Sequence, residues 1–138
     1  MAKRIGGAGG EALKLIEEQK YGKIINIRST AGISVTAAHS SSYAATKAAV
    51  ASLTKNVAME VAGAGIYVNA IACCAILTPP MKAYLSGCSE EEKNRLFKMI
   101  PLGRLAEPEE YASPAVYLAS DEHYVAEPVI SPNGGMVI

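Results

Sequence analysis

The sequence has no surplus of charge of either sign: 13 basic residues stand against 13 acidic ones in 138 positions, a formal charge of zero. No basic stripe interrupts that balance, so nucleic-acid phosphates and anionic membrane surfaces find no electrostatic footprint, and both are excluded as partners. Long apolar runs are missing too; none reaches the roughly 18 residues that a membrane-crossing helix requires. The start, Met1 to Arg4 and then Gly6 to Gly10, brings basic residues without the apolar stretch of a secretory signal, so a cytoplasmic location is expected. Cys73, Cys74 and Cys88 are odd in number and lack CxxC spacing, which argues against a zinc site or a disulfide framework and for thiols in a reducing compartment. Neither His39 nor His123 has a second ligand at metal-binding spacing, so no metal is expected. No internal repeat is present.

What the sequence does have is apolar material, 50% of its residues, enough for one compact core. Residues 1–10 read as a flexible leader and residues 11–138 as one domain. From Glu11 to Lys20 the apolar residues fall at helical spacing, and Gly22 follows as a stop signal. Lys23 to Ile27 is a short β-branched strand, and the Ser/Thr/Gly-rich Arg28 to Ser41 is its loop. Ser42 to Ala62 is Ala-rich with Val50, Leu53, Val57 and Val61 at helical intervals, and predicts a long helix ended by Gly63 and Gly65. Ile66 to Ala72 is a second strand; with a helix between them the two strands form a right-handed βαβ unit and pair in parallel. The fold class is therefore α/β.

Beyond the second strand, Thr78-Pro79-Pro80 reads as irregular punctuation, and Ser89 with Glu90 to Glu92 starts a helix running to about Ile100. Pro108 opens another helix towards Ser120, within which Pro114 removes a donor and is expected to kink or split it. Val129 to Ser131 reads as a short last strand before the Asn133-Gly134-Gly135 turn, with an apolar end that packs inward. Cys73-Cys74 and Met81, Met99 and Met136 read as packing residues rather than as redox or partner sites.

Tyr43 and Lys47 lie four residues apart near the start of the long helix, so their side chains project from one face a turn apart. A phenol titrates near 10, and acid/base work near pH 7 asks for a shift of about 3 units, or ~4 kcal/mol. An ammonium about 4 Å away supplies roughly 4 kcal/mol at an effective dielectric near 20, so the pair is matched in magnitude to that task. Ser29, in the loop after the first strand, falls at the carboxyl end of the parallel sheet, where open α/β folds place ligands. Ser40, Ser41 and Ser42 offer competing hydroxyls, but they adjoin the helix start, where capping is their commoner use.

The segments GKIINIRSTAG, SSYAATKAAVASLTKNVAMEVA, GIYVNAIA, ILTPPM, IPLGRLAEPEEYA, VYLASDE and SPNGG, in this order, strongly resemble the short-chain dehydrogenase/reductase family. The resemblance covers Tyr21 to Ile138. It implies the second half of a doubly wound, Rossmann-like parallel sheet with a helical substrate lid over Met81 to Ile100. It also implies an NAD- or NADP-dependent oxidoreductase interconverting an alcohol and a ketone or aldehyde. Tyr43 is then the general acid/base, Lys47 lowers its pKa and holds the nicotinamide ribose, and Ser29 polarises the substrate oxygen. Ile76 and Thr78 contact the nicotinamide carboxamide and a nearby phosphate, and homo-oligomers form through the 42–62 helix.

The family's initial strand and TGxxxGxG turn have no counterpart here, and Gly6 to Gly10 has neither the spacing nor the preceding strand to replace them. A truncated domain is expected on that ground, and with it an alternative reading: a non-catalytic remnant that persists as an interaction module. Within the matching half, Cys73-Cys74 stands for the family's Pro-Gly, Arg28 for a small hydroxyl residue, and Glu127-Pro128 for a glycine-containing turn.

Overall fold

A computed structural model describes residues 14–16, 18–34, 40–121, 125–126 and 129–137. The leader at residues 1–10, both histidines and Glu127-Pro128 lie outside these residues. Residues 14–16 and 18–19 are helical, within the span expected to be a helix.

Strand β1 (Gly22–Ser29) and strand β2 (Ile66–Cys73) pair in parallel along their whole length, from Gly22 opposite Ile66 to Ser29 opposite Cys73. Helix α1 (Ser41–Val61) makes the crossover between them, one residue longer at its start than expected and continued by a 3-10 turn over Ala62–Ala64. Gly65 then reverses the chain with φ +76, and a Cβ there would lie 2.8 Å from the Lys20 carbonyl oxygen, so conformation and space both require glycine. A third strand, β3 (Val129–Ile130), joins the far side of β2 in parallel, giving the order β1-β2-β3.

Alternation along β1 and β2 sends successive side chains to opposite faces, and both faces are covered. On one, Val57, Ala58 and Val61 of α1 pack on Ile66 and Val68 of β2, with Ile24 of β1 beside them. On the other, Tyr111 and Leu118 of helix α4 (Glu109–Ala119) pack on Ile71, with Ile25 and Ile130 adjacent. The expected α/β architecture, a parallel sheet with helices on both faces, is the one observed.

Two local expectations are corrected. Thr78-Pro79-Pro80 is not irregular: it opens helix α2 (Pro79–Ser86), because prolines in the first turn forgo only amides that have no intrahelical partner. Helix α3 (Glu90–Lys98) follows with a full capping box between Ser89 and Glu92. Of the kink or split expected at Pro114, the split does not occur: α4 runs as one helix from Glu109 to Ala119. The carbonyl deprived of its donor belongs to Glu110, which is exposed and open to water. Anchoring by buried Tyr111 and Leu118 on either side of the proline offsets the lost bond.

Candidate active site

Tyr43, Lys47, Val50, Thr54, Val57 and Val61 follow one another at intervals of four and three residues, a single stripe of α1. The lower part of the stripe is buried against the sheet. Above it the strands end, and the same stripe carries polar side chains over the carboxyl ends of β1 and β2. The helix thus outruns the sheet by the turns that bear Tyr43 and Lys47.

Lys47 Nζ donates to the Ile27 carbonyl oxygen at 3.2 Å and lies 5.7 Å from the centre of the Tyr43 ring. Among the described residues this uses one of the three ammonium donors, leaving two for a ligand. Tyr43 is 49% exposed. Ser29 caps a 3-10 turn over Thr30–Gly32, its Oγ accepting from the Ala31 amide at 3.2 Å, which leaves the hydroxyl hydrogen to be donated elsewhere. Gly32 sits against the backbone of α1 at Lys47 and Ala48, where a Cβ would come within 2.7 Å of main-chain atoms. That close approach brings the turn after Ser29 to α1; Arg28 and Ser29, expected in the loop, are the last two residues of β1, because both pair with β2.

Ser29 and Tyr43 line one pocket of about 210 Å³, with Cys74 and Ala75 from the turn after β2, Leu96 from α3 and Met136 from the carboxyl-terminal segment completing its walls. Ser40 lines it as well and makes no capping bond from its side chain, so the capping role expected of the serine run is not observed at that residue. Ile76 and Thr78 lie further along the turn after β2 and are not among the pocket's lining residues. Ile76 bridges to Ala106, and the Thr78 amide donates to the Ile76 carbonyl at 2.8 Å. Burial pushes the Cys73 thiol above its ordinary pKa, opposed by nearby Lys47. The same cause lowers Arg28, which is 6% exposed. No cluster of metal-ligating side chains occurs among the described residues.

Sequence reasoning missed Tyr111. It is 8% exposed, and its hydroxyl accepts from the Cys74 amide at 2.9 Å while donating to the Pro132 carbonyl. Its signal was available: a polar-tipped aromatic seven residues before Leu118, on the apolar face of α4.

Residues 9–136 match the family model described as enoyl-(acyl carrier protein) reductase. A 3-oxoacyl-[acyl-carrier-protein] reductase of Rickettsia felis is 37% identical over 129 residues, 93% of this chain and 52% of the relative. That of Thermotoga maritima is 41% identical over 122 residues, 88% of this chain and 48% of the relative. Among solved structures, ElxO with NADP bound superposes with a TM-score of 0.82 at 33% identity, over 91% of this chain and 50% of that one. The chain thus spans about half the length of the curated relatives it matches. A family match over nearly the whole chain, joined to a parallel sheet and a tyrosine-lysine stripe at its carboxyl end, carries one conclusion: the chain belongs to the short-chain dehydrogenase/reductase family.

Proposed function

We propose that this chain carries the catalytic half of an NAD(P)-dependent oxidoreductase that interconverts an alcohol and a ketone or aldehyde. One observation carries the reading: Ser29 and Tyr43 line one pocket while the Lys47 ammonium stands over the Tyr43 ring. The donor set fits a nicotinamide nucleotide, since Lys47 has two donors left for ribose hydroxyls and the turn bearing Ile76 and Thr78 adjoins the pocket wall. When bound, that cofactor supplies or accepts a hydride at the carbon bearing oxygen. Ser29 donates its free hydroxyl hydrogen to the substrate oxygen and polarises it. Tyr43 gives that oxygen a proton in reduction and takes it back in oxidation, and Lys47 stabilises the phenolate that results. Ala31, Ala75, Leu96 and Met136 make much of the remaining wall apolar, which suits a carbonyl on an apolar chain.

The cytoplasm suits three free thiols, and no helix among the described residues is long and apolar enough to cross a membrane. Self-association through the outer face of α1 belongs to the same reading.

Fluorescence titration with NADH and NADPH tests the proposal directly, and binding of neither overturns it. With a bound cofactor, Tyr43→Phe is expected to abolish turnover and leave affinity nearly intact, whereas Lys47→Ala weakens both. Turnover that persists in the Tyr43 variant removes the role assigned to that hydroxyl.

A further inference from the structure

Cys74 and Ala75 form a wall with space on either side. One side is the pocket of about 210 Å³ that holds Ser29 and Tyr43; the other is a second pocket of about 150 Å³, lined by the same two residues together with Tyr111, Pro132 and Asn133. A peptide segment between two cavities lacks the close packing that fixes core backbone, so its position depends on directed bonds.

Those bonds can be named. The Ala75 carbonyl accepts from the Ala106 amide at 3.3 Å, and the Cys74 amide donates to the Tyr111 hydroxyl at 2.9 Å. The tyrosine passes the connection on to the Pro132 carbonyl, tying the turn after β2 to the turn after β3. The second turn is itself held: Asn133 Nδ2 donates to the Val137 carbonyl at 2.8 Å, and the Gly135 amide to Asn133 Oδ1 at 2.8 Å. Met136, at the end of that turn, forms a second wall of the first pocket, with its sulfur 3.0 Å from Cys74 Sγ. Together with the Ser131 hydroxyl, which donates to the Ala72 carbonyl at 3.3 Å, this phenol sets the spacing of two walls of the candidate site from behind, without touching its interior.

We infer that Tyr111 is a positioning residue, whose hydroxyl holds the Cys74–Ala75 wall where the pocket accepts a nicotinamide cofactor. The inference rests on the function proposed above. Tyr111→Phe keeps the ring in the core and removes only the bridge, leaving the half-buried Cys74 amide and Pro132 carbonyl without this partner. Leu118→Val is the control, because it loosens the same apolar cluster and spares the hydroxyl.

The experiment combines hydrogen exchange at the Cys74 amide with steady-state kinetics in NADPH, both on the whole chain. Tyr111→Phe is expected to speed Cys74 exchange at least tenfold and to raise the KM for NADPH about tenfold with kcat within twofold; Leu118→Val lowers Tm and does neither. Unchanged Cys74 exchange in the Phe variant overturns the inference. So does an unchanged KM, or the same pair of effects in the Leu118 variant. A wild-type chain that binds no nicotinamide nucleotide overturns the proposed function instead, and Cys74 exchange then decides by itself whether Tyr111 holds the wall.

Discussion

Arg28 carries a cation into the layer between β1 and α1, one residue before Ser29. It is 6% exposed, and its Nε makes no hydrogen bond among the described residues. The contrast with Lys47 is instructive: that ammonium is only half-buried and rests on a carbonyl, so its charge is solvated where it is used. The Nε of Arg28 is desolvated without such compensation, and burial lowers the pKa of the side chain. Replacing a poorly compensated buried charge by an apolar side chain of similar length is expected to stabilise a fold by about 1–3 kcal/mol. Arg28→Met should therefore raise Tm by several degrees in a thermal melt followed by circular dichroism. A lower Tm would mean that the guanidinium is bonded more fully than its geometry indicates. The sequence marked Arg28 only as a departure from the family pattern; nothing in its neighbours told which face of β1 it would occupy or how deeply.

Helix α4 shows how an element is fixed at its ends. Arg104 grips Glu110 through two bonds of 2.6 and 2.8 Å, and the Glu107 amide donates to the same carboxylate at 2.8 Å. These contacts, the Arg104 bond foremost, hold the Glu110 carboxyl down at about 2, against an ordinary 4.5. A carboxyl depressed by folding stabilises the fold above its ordinary pKa, and the contribution is lost as pH falls from about 4.5 towards 2. The difference in Tm between wild type and Glu110→Gln should thus be constant above pH 5, shrink across that acid window and vanish below it. Because the pair is exposed, the difference should be small and should diminish in salt. A difference independent of pH would assign the effect to helix propensity instead.

The elements themselves were largely legible, since β-branched runs, an Ala-rich helix and a Ser89 capping box are local signals. The helix start at Pro79 and the unsplit helix around Pro114 escape the sequence for a common reason: a proline's cost depends on whether the carbonyl it strands is already free or faces water, which composition does not reveal. The site was legible in part. Tyr43 and Lys47 announce themselves by spacing, whereas Cys74, Leu96, Met136 and Tyr111 meet only through the docking of segments distant in sequence.

At the scale of the whole molecule, what matters is how much surface the three strands and their helices leave open. Among the described residues β1 pairs with β2 alone, so its other edge presents unmatched amides and carbonyls, with Ile27 54% exposed beside them. The outer face of α1 is open as well. Ala45, Ala49, Ser52, Leu53 and Asn56 lie together there, all exposed, and Leu53 is 47% so. Small residues flanking one leucine permit close approach of two helix backbones, and a face that meets its own copy across a two-fold axis needs no second complementary surface. The chain is therefore expected to sediment as an oligomer through this face. Ala49→Arg places a long cation at its middle at little cost in helix propensity. Sedimentation velocity should then show a monomer with unchanged far-ultraviolet circular dichroism. Continued association of that variant would exclude the α1 face and leave the open edge of β1 as the contact, which Ile27→Lys would then disrupt.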